Sequence, residues 1–384
     1  MSWQSATLGE LCDKYGGFVQ TGPFGSQLKQ SEYVEDPNGI PVVMPKDIKG
    51  GRVVFESAAR ITEQKAQTLS RHFLADGDII FPRRGDINKL AIVEEANAIF
   101  CGTGCLRIHT PSKGIVPKFL FYFLGQPKVA EWLEARAIGS TMLNLNTSIM
   151  RAVEVKFPNY PEQQRIAPIL SAYDDLIENN RRRIGLLEDA ARQLYKEWFV
   201  RFRFPGHEHV KMIDGVPEGW ERKTLREVAS LNYGKALKDS TRIAGDVPVY
   251  GSSGIVGSHN KALVAGPGII LGRKGNVGSV RWSHSDFFPI DTVYFIASEE
   301  STFHLYLTLL HMQFLSTDVA VPGLNRDFAY SRLLLRPPAA VAERFEDEVT
   351  PIFFQMQKLT DWNSKLAQAR DLILPRLMNG SLTV

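Results

Sequence analysis

The stretch Trp3-Gln-Ser-Ala-Thr7-Leu8-Gly-Glu10-Leu11 recurs in the second half of the chain as Trp220-Glu-Arg-Lys-Thr224-Leu225-Arg-Glu227-Val228. The tryptophan, threonine, leucine and glutamate keep the same spacing, and each copy is followed, well downstream, by a long segment with helical periodicity. Self-similarity at this scale indicates a duplicated structural unit. The sequence therefore predicts two similar domains, each leading into a helix. Duplex DNA is a common partner of paired surfaces, because its backbone offers matching twofold symmetry.

Three later pairs of segments extend the repeat, and the sequence between them diverges. In the first pair an apolar strand leads into two basic residues and a glycine, and in the last pair proline stops a strand before a helix. Loops carry recognition whereas strands carry packing, so a shared scaffold with divergent loops is typical of related domains that bind different ligands. The pairs are residues 76–88 with 265–278, Leu143-Asn144 with Leu324-Asn325, and residues 153–158 with 333–338.

Length and composition predict a globular protein with two cores. The chain has 384 residues, of which 44% are hydrophobic and 23% charged. No apolar run approaches the roughly 18 residues that a membrane span needs, and the N-terminus lacks a basic stretch followed by an apolar one. Cys12, Cys101 and Cys105 are an odd number of thiols, which suits a reducing compartment. We expect a soluble, cytoplasmic protein with buried structural thiols and no metal site.

The charge balance is only mildly basic. Lysine and arginine number 45 against 42 acidic residues, which gives a net charge of +3. A protein that binds polyanions by bulk charge has a stronger bias, so any nucleic-acid surface here must be local.

Two segments carry the heptad pattern of a coiled coil, with apolar residues at alternating spacings of four and three. They predict a central spacer helix over residues 161–204 and a C-terminal spacer helix over residues 341–384. Each seam contains one asparagine, and two interpretations stay open: the two amides bond each other and fix the register, or each faces water. The seams are Gln163, Ile166, Leu170, Tyr173, Ile177, Asn180, Ile184, Leu187, Ala191, Leu194 and Trp198, and Phe345, Val349, Ile352, Met356, Leu359, Asn363, Leu366, Arg370, Ile373 and Leu377.

The order domain, helix, domain, helix constrains the architecture. At about 1.5 Å per residue, the first helix spans on the order of 50 Å. The second domain can lie at its far end only if the two helices pair antiparallel. We therefore expect a pseudo-twofold dumbbell, in which globular domains over residues 1–160 and 205–340 are separated by a long antiparallel two-helix coiled coil.

Within the domains short strands outnumber helices, which predicts an α+β fold with a curved sheet. The strands are bounded by glycine, proline or aspartate turns. In the first domain we predict strands at Ile40–Met44, Asp78–Phe81, Leu90–Val93 and Cys105–Ile108, and helices at Phe119–Leu124 and Val129–Leu133.

The domain loops place glycine beside basic and amide residues, as in residues 20–29, 83–89 and 273–276. Glycine allows a close backbone approach, arginine can bond guanine through two hydrogen bonds, and glutamine or asparagine can do so with adenine. This chemistry suits base reading. We predict DNA contact by Gln20, Thr21, Gln27, Lys29, Lys46, Arg83, Arg84, Asn88, Lys89, Asn144, Lys235, Tyr250, Ser252, Ser253, Arg273, Lys274, Asn276, Asn325 and Arg326.

Three further segments carry a family resemblance. Residues 187–206, Leu-Glu-Asp-Ala-Ala-Arg-Gln-Leu-Tyr-Lys-Glu-Trp-Phe-Val-Arg-Phe-Arg-Phe-Pro-Gly, resemble the central helix and exit of the DNA-specificity subunit of type I restriction-modification enzymes. Residues 370–380, Arg-Asp-Leu-Ile-Leu-Pro-Arg-Leu-Met-Asn-Gly, look like its C-terminal helix end, and residues 22–29, Gly-Pro-Phe-Gly-Ser-Gln-Leu-Lys, look like a segment of its recognition domains.

The resemblance implies two target-recognition domains, each of which reads one half of a bipartite DNA sequence, with the helices acting as a ruler for the gap. It also implies docking of two methyltransferase subunits on the helices and, in a restricting complex, of translocase-nuclease subunits. S-adenosylmethionine, ATP and magnesium are then expected on those partners and no cofactor on this chain.

The sequence favours a subunit that binds without catalysing a reaction. It lacks an Asn-Pro-Pro-Tyr/Phe or Asp-Pro-Pro-Tyr/Phe motif for amino-methylation and a Gly-x4-Gly-Lys-Ser/Thr phosphate loop. Two alternatives stay open. One is a stand-alone metal-dependent nuclease, because Glu154-Val-Lys156 resembles part of a nuclease site, although the second half has Leu334-Leu335-Arg336 there. The other is a coiled-coil adaptor whose domains bind protein.

Overall fold

A computed structural model describes residues 3–55, 58–94, 96–111, 113–139, 143–312, 314 and 323–384 of the chain. The chain forms two compact units. Unit 1 comprises Met1–Glu178 and Asn363–Val384, and unit 2 comprises Asn179–Trp362. Each unit mixes short strands with helices, so the predicted α+β class is confirmed.

Unit 1 is built on two four-stranded sheets and two two-stranded ribbons, one of which pairs β5 with β6. One sheet has the antiparallel order β2-β11-β8-β9, the other has the order β10-β4-β7-β3, and β1 pairs with β12. The strands are β1 (Gln4–Thr7), β2 (Phe18–Thr21), β3 (Tyr33–Val34), β4 (Ile40–Val43), β5 (Ile48–Lys49), β6 (Arg52–Val53), β7 (Ala59–Ile61), β8 (Ile79–Pro82), β9 (Ala91–Ile92), β10 (Phe100–Cys101), β11 (Cys105–His109) and β12 (Glu154–Phe157), and the helices are α1 (Leu8–Tyr15), α2 (Glu63–Thr68), α3 (Pro117–Leu124), α4 (Pro127–Glu134) and α5 (Thr147–Arg151). The first long helix, α6 (Tyr160–Tyr195), follows and continues into a short π-helical turn over Lys196–Val200.

Unit 2 repeats this plan. One sheet has the antiparallel order β16-β22-β19-β20, a second has the order β18-β17-β21, and β15 pairs with β23. The strands are β13 (Met212–Ile213), β14 (Val216–Pro217), β15 (Glu221–Thr224), β16 (Asn232–Tyr233), β17 (Val247–Gly251), β18 (Gly254–His259), β19 (Gly268–Gly272), β20 (Val280–Ser283), β21 (Phe288–Pro289), β22 (Val293–Ile296) and β23 (Leu333–Arg336), and the helices are α7 (Leu225–Val228), α8 (Phe303–His311) and α9 (Arg326–Tyr330). The second long helix, α10 (Ala339–Met378), closes the chain.

The repeated opening motif has one structural cause in both units. In each unit a strand ends in a threonine that starts a helix, and the glutamate three residues later accepts from that threonine's backbone N–H at 2.7 Å, Glu10 from Thr7 and Glu227 from Thr224. The capping box is reciprocal at Thr7, whose hydroxyl accepts from the Glu10 backbone N–H, whereas the Thr224 hydroxyl donates to the Glu227 carboxylate. These bonds satisfy backbone donors at the start of each helix. The following leucine is fully buried in each unit, which explains why these residue types recur at this spacing.

The two long helices pair antiparallel within each unit. In unit 1 the guanidinium of Arg370, late in α10, donates to the carboxylate of Asp174, in the first half of α6. In unit 2 the order is reversed: Trp198, after the end of α6, packs on Phe345, early in α10, with ring centroids 5.6 Å apart. The antiparallel pairing predicted from the order of domains and helices is therefore confirmed in both units.

The predicted seams are the inward faces of these helices. None of the described seam residues is exposed, and Leu170, Phe345 and Val349 are fully buried. Asn180 is 8% exposed, so the interpretation that it faces water is wrong. The amide of Gln163, at the first seam position, accepts from the Val116 backbone N–H at 2.8 Å and thereby ties α6 to its own domain.

The ends of the predicted helices differ from the observed ends. The central helix, predicted over 161–204, becomes a π-helical turn at Lys196 and ends at Val200. Phe199, within that turn, and Phe204, beyond it, both pack on Trp220, so the chain leaves the helix between them. The C-terminal helix, predicted over 341–384, begins at Ala339 and ends at Met378, and Gly380 follows with a left-handed φ of +78°.

All six elements predicted in the first domain are present, with ends shifted by one or two residues. The three cysteines are buried, as expected, and burial raises the pKa of Cys12 to about 11 and that of Cys101 to about 12. In the part of the chain that the structure describes, no helix is both long and apolar enough to span a membrane.

Candidate nucleic-acid interface

The two basic loops identified in the sequence adopt the same turn. Arg83-Arg84-Gly85 follows β8 and Arg273-Lys274-Gly275 follows β19. Gly85 and Gly275 have left-handed φ values of +81° and +78°, which strain any other residue. In both turns the glycine carbonyl accepts from the backbone N–H two residues later, at 2.9 Å. The turn presents two consecutive basic side chains at the end of a buried strand.

A second segment packs against each basic loop, and its register corrects the sequence comparison. The backbone N–H of Leu145 donates to the Arg83 carbonyl, and that of Leu324 donates to the Arg273 carbonyl, each at 2.8 Å. The next residues, Asn146 and Asn325, each cap a five-residue helix. The counterpart of Leu324-Asn325 is therefore Leu145-Asn146. The predicted match with Leu143-Asn144 is wrong by two residues, because the sequence repeats Leu-Asn and offers two equivalent alignments.

In unit 2 the basic loop builds a cluster of arginines around an exposed tyrosine. The guanidinium carbons of Arg273 and Arg326 lie 5.1 Å and 4.9 Å from the ring centroid of Tyr233. Arg273 is further held by a 3.2 Å hydrogen bond from Nη1 to the Asp291 carbonyl. Tyr233 is 48% exposed, and its ring meets that of Tyr294 at 5.1 Å. Tyr233 was not among the residues predicted from sequence, because its contacts with the arginines join segments that are distant in the chain.

A neighbouring loop supplies polar groups to the same end of the sheet. The Ser252 hydroxyl accepts from the Asn276 backbone N–H at 3.3 Å, and the Ser252 carbonyl accepts from the Ser279 hydroxyl at 2.6 Å. Lys274 and Asn276 are exposed. The structure therefore brings together Ser252, Arg273, Lys274, Asn276 and Arg326 of the predicted set. Ser253 and Lys235 are also exposed.

Two residues of unit 2 that were predicted to contact DNA have structural roles, one in the core and one as a helix cap. Tyr250 is 7% exposed, packs on Phe287, and has a pKa raised by burial, so it belongs to the core. The side chain of Asn325 accepts from the backbone N–H groups of Asp327 and Phe328, at 2.8 Å and 3.1 Å, as the cap of α9. Burial argues against direct base contact by Tyr250, whereas Asn325 is exposed and uses only its Oδ1 atom as the cap.

Unit 1 has a corresponding pair of an arginine and an exposed aromatic ring. The guanidinium carbon of Arg83 lies 5.4 Å from the ring centroid of Phe24, which is 52% exposed. Phe24 belongs to the loop that leaves β2, and its backbone N–H donates to the Gln27 side chain at 3.1 Å. Phe24 lies in a loop that was predicted to contact DNA but was not itself predicted. Its ring beside Arg83 is the unit 1 counterpart of Tyr233 beside Arg273.

The other predicted residues of unit 1 lie around this pair or in neighbouring loops. Arg84 forms a backbone bridge with Asn144, whose Oδ1 atom is buried and without a hydrogen-bond partner among the described residues. Lys89 pairs with Asp86 at 3.0 Å, and the amide of Asn88 donates to Glu134. Thr21 pairs with Leu106 in the sheet, and Lys29 and Lys46 are exposed.

Gln20 differs from the other candidates, because its amide is fixed by a buried side chain. Its Nε2 atom lies 3.1 Å from Nδ1 of His72, which is 2% exposed. On the adjacent strand Arg107 Nε lies 2.6 Å from the fully buried carboxylate of Asp78. The Asp78 carboxylate also lies 2.7 Å from His109 Nδ1. No sequence signal pointed to His72.

One of the two sequence alternatives, the metal-dependent nuclease, requires a metal site. Glu154 lies on β12 with its side chain exposed, and it accepts from the Ser5 hydroxyl at 2.5 Å. Across the described ranges, no three His, Cys, Asp or Glu side chains are grouped so as to hold a metal ion. The groups gathered in the two loop clusters are N–H donors, cations and aromatic faces, which are suited to binding phosphates and base edges.

Comparison with known proteins agrees with this chemistry. The sequence matches the family described as type I restriction modification DNA specificity domain over residues 2–189 and 217–326. It is 26% identical to the specificity subunit of the MjaIX type I restriction enzyme of Methanocaldococcus jannaschii, over 90% of this chain and 87% of that protein. It is 22% identical to the HindI specificity subunit of Haemophilus influenzae, over 80% and 86%.

The fold has a match among solved structures. The crystal structure of the type I restriction-modification S subunit from M. genitalium aligns with a TM-score of 0.59 at 18% identity, over 98% of this chain and 96% of that one. At that identity the likeness concerns the fold. Because the family match covers more than half of the sequence, in both halves of the repeat, this chain belongs to the family of type I restriction-modification DNA specificity subunits.

Proposed function

We propose that each unit reads one half of a bipartite duplex DNA target, and that this chain carries no catalytic activity of its own. The observation that supports this most directly is the pair of loop clusters. Each contains an arginine held at the end of a buried strand by the same glycine turn, beside an exposed aromatic ring. The backbone of the cluster is shared and the surrounding side chains differ, as expected of two domains that read different bases.

The chemistry of the clusters suits the major groove. A guanidinium that is already held in place loses little conformational freedom when it bonds the O6 and N7 atoms of guanine. Arg273 is held by Tyr233 and the Asp291 carbonyl, and Arg83 is held by Phe24 and two backbone bonds. The exposed lysines nearby supply phosphate contacts that position the domain without reading sequence.

We propose further that the long helices set the distance between the half-sites. Helix α6 is continuous over its 36 residues. The heptad seam is inward-facing in both units, so the helices are stiffened by pairing along their length.

In this proposal the partner subunits catalyse the reactions. The relatives are named as specificity subunits of restriction enzymes, which is the basis for proposing assembly with two methyltransferase subunits and with translocase-nuclease subunits. S-adenosylmethionine, ATP and magnesium then act on those partners.

Domain exchange tests the proposal. Residues 3–159 are replaced by those of a relative with a different target, and the assembled complex is used to map methylated sites in DNA. We expect one half of the target to change while the other half and the gap are kept. The reciprocal exchange over residues 225–335 is the matched control and should change the other half alone. Change in both halves after either exchange, or binding without sequence preference, contradicts the proposal.

A further inference from the structure

The protonation state of buried His72 follows from its two neighbours. Nε of Arg71 donates to His72 Nε2 at 3.1 Å. A guanidinium has donors only, so His72 Nε2 is the acceptor and carries no proton. Burial, assisted by the charges of Arg71 and Arg107, lowers the pKa of His72 to about 4, so the ring is neutral at neutral pH. Its single proton is therefore on Nδ1.

This tautomer determines the orientation of the Gln20 amide. The atom of Gln20 nearest to His72 Nδ1, at 3.1 Å, is the amide nitrogen. Two N–H donors cannot bond each other, and the nitrogen and oxygen ends of an amide are assigned from their partners. A half turn of the amide places Oε1 against the Nδ1–H of His72 and leaves the carbon skeleton unmoved. The amide nitrogen of Gln20 then points away from the histidine, with donors and no acceptor.

Gln20 lies at the end of the sheet from which the Phe24 loop and the basic loop Arg83-Arg84-Gly85 emerge. Strand β2 ends one residue later, and the N–H of Gly22 donates to the Cys105 carbonyl at 2.9 Å. The N–H of Arg83 donates at 2.6 Å to the carbonyl of Gly104, the residue that precedes Cys105. Gln20 is half-buried, and its second amide atom is not among the buried polar atoms that lack a partner in the described ranges.

We propose that Arg71 and His72 fix Gln20 as a donor-only reader that selects a hydrogen-bond acceptor on one base of the target. This inference rests on the proposed DNA-reading function and adds a specificity rule to it. A glutamine that is free to turn can pair with either a donor or an acceptor, whereas one locked in this way cannot. In the major groove guanine, thymine and adenine offer acceptors, but the edge of cytosine offers the N4 amino donor. Gln20 therefore disfavours cytosine at its position.

The test uses the full chain, assembled with its partner subunits, to select bound duplexes from a randomised library at fixed salt. We expect the wild-type protein to disfavour cytosine at one position, on the order of tenfold. Gln20→Glu keeps the shape and the bond from His72 but turns an acceptor outward, so the preference at that position should invert toward cytosine or the adenine amino group. Gln67→Glu, an exposed site in the same unit, is the charge-matched control and should leave the preference unchanged.

His72→Phe separates positioning from general stability. It keeps a ring against Phe100 but removes the donor, so the Gln20 amide is free to turn and the preference should relax at that one position only. An unchanged preference in this variant, or in Gln20→Glu, overturns the inference. If Gln20→Glu instead lowers the affinity equally for all sequences and weakens its salt dependence, Gln20 contacts a phosphate, and this result also overturns the inference. Absence of any sequence preference in the wild-type complex contradicts the proposed function instead.

Discussion

The guanidinium of Arg326 lies 4.9 Å from the ring centroid of Tyr233, and that of Arg273 lies 5.1 Å from the same centroid. Two like charges that share one ring repel each other in the absence of an anion, and the electron-rich faces of the ring offset part of this cost. The tyrosine thus holds two cations at one place on an exposed surface. In the proposed function, a nucleic-acid phosphate or a guanine edge would supply the negative potential that offsets this repulsion.

Replacement of the ring should weaken DNA binding through the arginines. For Tyr233→Leu we expect affinity to fall by about 0.5–1 kcal/mol for each guanidinium, the usual strength of an exposed cation–π contact. Tyr233→Phe keeps the ring face and should retain most of the affinity. Titration of labelled duplex containing the target measures both variants. Equal losses in the two variants would show that the hydroxyl group, and not the ring, is responsible.

The two loop arginines should each affect one half-site. Arg83→Ala and Arg273→Ala should each cost about 1–3 kcal/mol of binding free energy if the guanidinium meets a base through two hydrogen bonds. Selection from a library randomised in both halves should relax one position in one half for each variant, and the two halves should differ. Arg222→Ala, at an exposed position on β15, is the control and should change neither half. Relaxation in the same half by both arginine variants contradicts one domain per half-site.

Part of this site could be predicted from sequence and part could not. The strand that leads into Arg273-Lys274-Gly275 has a local pattern, and its match with residues 83–85 revealed the paired turns. Tyr233 contacts Arg273 and Arg326, and His72 contacts Gln20. These partners are distant in sequence, so no local pattern predicts the contacts. Tyr250 was predicted to contact DNA, but its side chain is buried. A tyrosine beside Gly251 at a strand end has the same sequence context whether it faces the core or the solvent. The helices were predictable over most of their length because the heptad pattern is local and repeated, but their ends depend on tertiary packing at Phe199 and Phe204.

The buried ion pair between Asp78, immediately before β8, and Arg107 of β11 should be necessary for stability. Asp78 is fully buried, pairs with Arg107, and accepts from the Ala75 backbone N–H at 2.7 Å. Asp78→Asn leaves the Arg107 charge buried without its counter-ion, which costs about 3–5 kcal/mol of unfolding free energy. Thermal unfolding of the full chain measures this loss of stability as a lower midpoint temperature. Asp13→Asn removes a carboxylate that pairs with Arg151 at the surface, so it is the matched control and should change the midpoint little. A midpoint for Asp78→Asn close to that of the control would show that the pair contributes nothing.

The length of the paired helices should set the gap between half-sites. Insertion of one heptad into both α6 and α10, at facing positions, keeps the seam in register and lengthens each helix by about 10 Å. At about 3.4 Å per base pair, the preferred gap should increase by about three base pairs while both half-site sequences are retained. Methylation mapping or library selection with the assembled complex measures the gap. The same seven residues inserted between Asp214 and Gly215, in the exposed turn of the β13–β14 hairpin, form the control, because this insertion lengthens no helix. If the helix insertion leaves the gap unchanged in a complex that still binds both half-sites, the gap is determined by something other than helix length.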